Sequence, residues 1–250
     1  MSWPLRDFEA AGVAFPIPVL DAGELRVVRS EFARLVDAHH GKLARLDRLH
    51  LFFGWAFDLA AHPRIVDAVA SLLGEEIIVW GSLLLSKPPH DDEFVAWHQD
   101  GAYAGFLGGA PAVSAWLALS DSTIESGCMR VIPGSQKERL DHVEAHRARN
   151  MLSRGQEIAA SVDETQAVDV ELRAGEMSLH HVDIVHGSSP NRSSWYRTGF
   201  IIRYTTPRML HAATPVTVAR GRGAEHLQMM RTRPSRPLAE ALAAHQTQSL

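Results

Sequence analysis

Two histidines and one aspartate, widely separated along the chain, have the types and spacing to do chemistry. His98 and Asp100 lie in the run Trp97-His98-Gln99-Asp100-Gly101, and His186 lies in Val185-His186-Gly187-Ser188. Two imidazoles and one carboxylate make up the facial ligand set of non-haem Fe(II) oxygenases, which leaves metal positions open. An open position separates a reactive metal site from a closed structural one. Arg197 follows on the next stretch of chain. Arginine binds carboxylates through a bidentate fork, which suits a dicarboxylate cosubstrate.

The His-x-Asp spacing is weak by itself. The chain has 14 histidines, and the spacing recurs at His90/Asp92 and His181/Asp183, with His-x-Glu at His142/Glu144. Context separates them. His90 and Asp92 follow two prolines in a uniformly polar run, which reads as a solvated turn. His142 sits in a polar stretch and is expected to be exposed. His98 ends a β-type run, and residues two apart on a strand point to one side, so His98 and Asp100 can face one metal while Gln99 points away. His180 and His181 read as a structural pair, with a supporting role around the metal open to one of them. The competing reading of the whole set is core or loop histidines with hydrogen-bond partners.

These residues need elements to hold them. Leu25, Val28, Phe32, Leu35 and Val36 recur at helical spacing, so residues 23–39 read as an amphipathic helix. Residues 55–73 read as one helix or two, with Pro63 at a start and Gly74 at a stop. The pattern then changes to short β-type runs: 76–80, 82–85, 94–98, 114–119, 129–132, 168–172, 177–181 and 197–204. Residues 135–165 are polar, helical or loop-like, and long enough to be a lid. Arg197, Gly199, Ile201 and Arg203 share one strand face. An Arg pointing into a barrel is costly unless it meets a carboxylate. Arg203 is the structural rival on that face, with a surface or interface salt bridge as its plain reading. One domain over 1–250 is expected. It has helices to about 75, a barrel or jelly roll over about 76–207 with the insert at 135–165, and a C-terminal extension over 208–250.

The totals fit an ordinary globule. Net charge is −4 and the sequence pI about 6.4, which argues against nucleic acid and anionic membrane as partners. The single cysteine, Cys128, rules out an intrachain disulfide and reads as a small buried side chain. No signal-peptide pattern and no bilayer-length apolar run is seen. A reducing cytoplasm is the expected compartment.

Residues 50–207 resemble the phytanoyl-CoA dioxygenase family of Fe(II)/2-oxoglutarate oxygenases. The resemblance rests on Ser86-Lys87-Pro88-Pro89, Trp97-His98-Gln99-Asp100, Ala115-Trp116 and the run from Gly127 to Ser135. It continues through Gly175 to His181 and ends in His186-Gly187-Ser188-Ser189-Pro190-Asn191 leading to Arg197. It implies a mainly β fold, a double-stranded β-helix (jelly-roll, cupin-like) core with flanking α-helices. It implies Fe(II) held by His98, Asp100 and His186, with O2 and 2-oxoglutarate as co-reactants. It places the far carboxylate of 2-oxoglutarate on Arg197, assisted by the Ser188 hydroxyl. Trp116 would line that site. Leu83 is a further match, but plain core packing competes for both and is preferred for Leu83. Lys87 is expected to do no more than form a surface salt bridge. Halogenating relatives lack the carboxylate ligand, so the retained Asp100 points to oxygenation.

The implied reaction is hydroxylation of an unactivated C–H bond, with release of succinate and CO2 and no catalytic residue beyond the metal centre. The same chemistry can desaturate, epimerise or close rings. Tyr103, Phe106, Met129 and Arg130 are candidates for the substrate pocket, as are Asn150 and Arg154 on the insert, against ordinary loop packing. A small secondary metabolite or amino-acid derivative is the expected substrate, with a carrier-protein-bound acyl group as the alternative. Two rival classes stand against the oxygenase. One is a cupin-like isomerase or lyase that uses a metal without 2-oxoglutarate, which has no need of Arg197 and Ser188. The other is a non-catalytic binding module, against which the intact triad counts.

Overall fold

The computed structural model describes residues 2–40, 43–104, 111–152, 155–210 and 215–248. Its helices are α1 (Phe8–Ala11), α2 (Ala22–Ala38), α3 (Gly54–Ala60), α4 (Pro63–Leu73), α5 (Gly101–Ala104) and α6 (Leu238–Gln248). Its strands are β1 (Val13–Pro18), β2 (Arg45–Asp47), β3 (Ile77–Lys87), β4 (Val95–His98), β5 (Ala112–Ala118), β6 (Met129–Val131) and β7 (His142–Glu144). They continue with β8 (Gln156–Ile158), β9 (Val168–Val170), β10 (Glu176–His181), β11 (His186–Ser188), β12 (Arg197–Thr205), β13 (Val216–Arg220) and β14 (Met229–Met230).

The chain forms two compact units. The first comprises Met1–Leu25, Ser86–Ala110 and Trp116–Gly199; the second comprises Arg26–Leu85, Pro111–Ala115 and Phe200–Leu250. Strands β3, β5 and β12 contribute residues to both. In the first unit β1, β10, β5 and β12 lie side by side in that order. A separate four-stranded sheet, β4-β11-β6-β9, and the β7-β8 hairpin complete it. In the second unit the order runs β5-β12-β3-β13-β14, with β2 also on β3. Helices α3, α4 and α6 belong to this second unit.

The helices form for the expected reasons. In α2, Val28 and Leu35 are buried and Leu25, Phe32 and Val36 half-buried. Asp21 Oδ1 accepts from the N–H groups of Gly23 and Glu24 at 2.7 and 2.9 Å, and Glu24 returns a carboxylate oxygen to the Asp21 N–H at 2.8 Å. That reciprocal cap satisfies donors no helix can pair internally. Pro63 opens α4, and Gly74 closes it at φ 82°.

The polar stretch 135–165 departs from the helical or loop-like expectation, because it carries the antiparallel hairpin β7-β8, with His142 opposite Ile158 and Glu144 opposite Gln156. Three-residue strands are too short to show a period of two. Long-range bonds fix the segment: the Phe94 N–H donates to the Arg149 carbonyl and the Met151 N–H to the Phe94 carbonyl. Strand β1 lies within the N-terminal stretch expected to be helical; it pairs with β10, Val13 opposite His180. The two β-type runs at 76–80 and 82–85 form one strand, β3.

Candidate active site

The four-stranded sheet brings the triad together. His98 is the last residue of β4, and its Cα partner across the ladder is His186 on β11. Their ring centroids are 4.0 Å apart. Asp100 lies two residues beyond the end of the strand. One donor atom from each of His98, Asp100 and His186 lies within 4.8 Å of the others, and all three residues are buried. His98 Nδ1 lies 2.9 Å from the Ala96 carbonyl, and His186 Nδ1 lies 3.0 Å from the Ile184 carbonyl. A carbonyl only accepts, so each Nδ1 carries the proton and each Nε2 keeps its lone pair for a metal. Burial first, then the neighbouring His98 and His180, holds the His186 imidazole well below its ordinary pKa. Neutral imidazole is the metal-binding form.

The residues between and around the ligands brace them. Gln99 points away, as the strand alternation requires, and is fully buried. Its amide donates to the Asp183 and Glu138 carbonyls at 2.5 and 2.8 Å and accepts from the Leu140 N–H at 2.9 Å. Asp183 is itself buried and lies 3.5 Å from the Arg139 guanidinium. A side chain at Gly101 would collide with that Asp183 carboxylate, so the turn after Asp100 needs a glycine. His142 is half-buried rather than exposed, because its Nε2 accepts from the Gln99 N–H at 3.1 Å. His181 Nδ1 accepts from the Asp183 N–H at 3.1 Å. His180 lies on the metal side: its Nε2 is 3.9 Å from Asp100 Oδ2 and its ring 5.0 Å from that of His186. His90 sits in a turn, and Asp92 binds Arg149 and Arg192 at the surface.

Two buried basic side chains lie near Ser188, two residues after His186. Arg197 opens β12, is 1% exposed, and holds its Cζ 4.7 Å over the Trp116 ring. A Cβ at Gly199 would run into that ring, so the glycine lets Trp116 lie across the strand. No carboxylate pairs with Arg197 among the described residues, and its Nε and Nη1 are buried with no hydrogen-bond partner. Burial pulls its pKa down to about 10. Lys87 is fully buried, which corrects the surface salt bridge expected for it. Its Nζ donates to Ser188 Oγ at 2.7 Å, to the Ser189 carbonyl at 2.6 Å and to the Ser188 carbonyl at 3.4 Å. Burial, then the Arg197 charge, lowers its pKa to about 6. The signal in the sequence was a lysine closing a long apolar run just before two prolines. Cys128 is buried, and its thiol is pushed up to about 12 by burial.

The remaining candidates divide. Met129 is the ladder partner of Ser188, and Val131 of His186, so Met129 shares the triad's face. Arg130, between them, faces the other way. It stacks over Trp97 at 5.4 Å and bonds Glu164 and Asp169 at 2.5 and 3.5 Å. On that face it lines a cavity together with Trp97, Ser188 and Ser189. Asn150 is tied to the backbone, accepting from the Ala96 and Leu152 N–H groups. Leu83 is buried in the second unit, opposite Asp47 of β2. Arg203, also in the second unit, stacks over Trp80 at 5.6 Å. The Tyr103 backbone lies in α5, while its side chain, Phe106 and Arg154 lie outside the described residues.

A buried arginine with no carboxylate paired to it among the described residues, near three converging metal donors, fits a dicarboxylate bound beside a divalent metal. The phytanoyl-CoA dioxygenase family model matches residues 8–199. The chain belongs to that family. A solved non-heme monooxygenase, ThoJ, in its apo form, is 34% identical over 98% of this chain and 94% of its own, with a TM-score of 0.82. The epimerase SnoN, solved with Fe3+, alpha-ketoglutarate and nogalamycin RO, is 26% identical over 81% of this chain and 82% of its own, with a TM-score of 0.66. A probable alpha-ketoglutarate-dependent hypophosphite dioxygenase of Stutzerimonas stutzeri is 29% identical over 78% of this chain and 70% of its own. The chain spans about half the length of several phytanoyl-CoA dioxygenases that it also matches. This family member has the mainly β jelly-roll fold with flanking helices, and it is an Fe(II)- and 2-oxoglutarate-dependent dioxygenase.

Proposed function

We propose that this dioxygenase hydroxylates an unactivated C–H bond of a free small molecule, a secondary metabolite or amino-acid derivative, in the cytoplasm. The observation that carries the reading is the pair of orphaned Arg197 donors beside the buried His-Asp-His cluster. A buried guanidinium without a counter-charge is costly, and a bidentate carboxylate removes that cost. A metal-dependent isomerase or lyase without 2-oxoglutarate has no use for it.

In this reading His98, Asp100 and His186 hold Fe(II), Arg197 and Ser188 hold the far carboxylate of 2-oxoglutarate, and Trp116 keeps the guanidinium in place. The bound metal and cosubstrate supply oxidative decarboxylation to succinate and CO2, coupled to C–H oxidation by O2. The chain's part is geometry: Gln99 ties the ligand loop to the insert, and Met129, Tyr103 and Phe106 are the substrate contacts expected from the sequence. The small-molecule reading draws on relatives described with hypophosphite and with nogalamycin RO. Net charge of −4 supports the exclusion of nucleic acid and membrane, and the lone cysteine fits a reducing compartment. No helix among the described residues is long and apolar enough to cross a membrane.

Anaerobic titration with Fe(II) and 2-oxoglutarate tests the site through the visible charge-transfer band of the chelate. The band is expected in wild type. Its absence in folded, iron-loaded protein would sink the reading. Succinate release and a product 16 Da heavier, across a panel of small molecules, then test the reaction. A product of unchanged mass or 2 Da lighter replaces hydroxylation with epimerisation or with desaturation or ring closure.

A further inference from the structure

We propose that Lys87 is a positioning residue for the cosubstrate: its ammonium fixes which way the Ser188 hydroxyl donates, and so aims that hydroxyl at the far carboxylate of 2-oxoglutarate. The inference rests on the dioxygenase reading above and concerns a residue that reading does not use.

An ammonium has three N–H bonds and no lone pair; burial lowers the Lys87 pKa to about 6 in the ligand-free protein, and the negative charge of a bound dicarboxylate favours the ammonium form. The Lys87 Nζ has three acceptors within reach: Ser188 Oγ at 2.7 Å, the Ser189 carbonyl at 2.6 Å and the Ser188 carbonyl at 3.4 Å. The two carbonyls can only accept. Ser188 Oγ therefore accepts from Nζ, and the Ser188 proton cannot point back at the lysine. It must donate elsewhere, and the group nearby that lacks partners is Arg197, whose charge acts on the same lysine and whose Nε and Nη1 are unbonded. A neutral side chain at 87 would leave the hydroxyl free to rotate.

The surroundings keep the device in place. Lys87 is fully buried at the end of β3, and the next strand atoms are pinned. Asn191, itself fully buried, donates Nδ2 to the carbonyls of Lys87 and Pro88. Ser86 Oγ bonds Thr198 Oγ1 at 2.8 Å, next to Arg197. Strand β3 and strand β12 are thus locked on both sides of the lysine. Arg197, buried with no carboxylate paired to it among the described residues, also makes an anion the natural occupant. Lys87 acts through Ser188, not as a second guanidinium.

The test is the same anaerobic charge-transfer titration, run with 2-oxoglutarate and with 2-oxobutyrate, which chelates alike but lacks the far carboxylate. Lys87→Met, Lys87→Gln, Ser188→Ala and the Lys87→Met/Ser188→Ala double variant are compared. Lys87→Met is expected to raise the Kd for 2-oxoglutarate about tenfold, the scale of one charged hydrogen bond. The Kd for 2-oxobutyrate and the Fe(II) affinity should stay within twofold. The double variant should be no weaker than the weaker single, since both break one chain of contacts. Additive losses, or an unchanged Kd for 2-oxoglutarate in Lys87→Met, overturn the proposal. Equal losses for both 2-oxo acids overturn it as well, because they mark a general structural role. If Lys87→Met melts below the assay temperature, Lys87→Gln decides by the same criteria. A wild type with no band at all defeats the dioxygenase reading itself, a result distinct from each of these.

Discussion

Two arginines of this chain stack on tryptophans in the same unit, and they differ in what else they meet. Arg130 lies over Trp97 on the outer face of the four-stranded sheet, with Glu164 and Asp169 as partners. Arg197 lies over Trp116, 1% exposed, with no carboxylate among the described residues. The aromatic platform is shared, and it contributes only about 0.5–2 kcal/mol in either place. The counter-charge separates them. The outer arginine has its anions from the chain and is structural; the inner one lacks them and is built for an anion that comes from outside.

Breaking the inner side should cost most at the metal. Asp100→Ala removes a ligand outright, so Fe(II) affinity should fall by more than about 100-fold, beyond the loss typical of an outer partner. Calorimetric titration of apo protein with Fe(II) under argon reads this, and retained affinity would remove Asp100 from the ligand set.

The arginine pair itself comes next. Arg197→Met should raise the Kd for 2-oxoglutarate about 10- to 150-fold, from lost hydrogen bonds worth about 1.5–3 kcal/mol. Arg130→Met should leave that Kd within twofold and lower stability by about 1 kcal/mol or less, since its ion pairs are partly exposed. Equal effects from the two substitutions would erase the distinction between the faces.

The platform can then be moved without touching the cation. Gly199→Ala drives a methyl group into the Trp116 ring. Overpacking of this kind costs about 1–3 kcal/mol. A lower Tm together with weaker 2-oxoglutarate binding is expected; a lower Tm alone would free Trp116 from the role of holding Arg197.

A further effect is a dependence on pH. Lys87 has its folded pKa lowered to about 6 from 10.5. Between those values the unfolded chain binds the proton that the folded chain has lost, so folding stability rises with pH across that window. Below about 6 both states are protonated and the burial penalty stays constant. In ligand-free protein, denaturant unfolding from pH 6 to 10 should show wild type gaining stability relative to Lys87→Met. A flat difference would mean that the lysine keeps its proton throughout.

Much of this was legible in the residues. The periodicity of Leu25 to Val36 and the Pro63 and Gly74 stops located two helices, because caps and apolar spacing are local properties. The parity of a strand put His98 and Asp100 on one side and Gln99 on the other. The β7-β8 hairpin was not legible, because three-residue strands have too little pattern and are held by bonds to Phe94 far away in sequence. The face that Arg130 takes depends on its register against His186 and Ser188, which no local pattern shows.

The sequence by itself determined the chemistry available: which side chains can ligate a metal, which can fork onto a carboxylate, and in what order they come. Only the tertiary structure decided which of them share a cavity and which charges are left without a partner. Lys87 shows the difference. Its type says cation, but burial at the end of β3 and the Ser188 and Ser189 oxygens around its Nζ decide what the cation does. A charge's cost and use depend on the dielectric and the partners around it, and those are assembled from strands about a hundred residues apart.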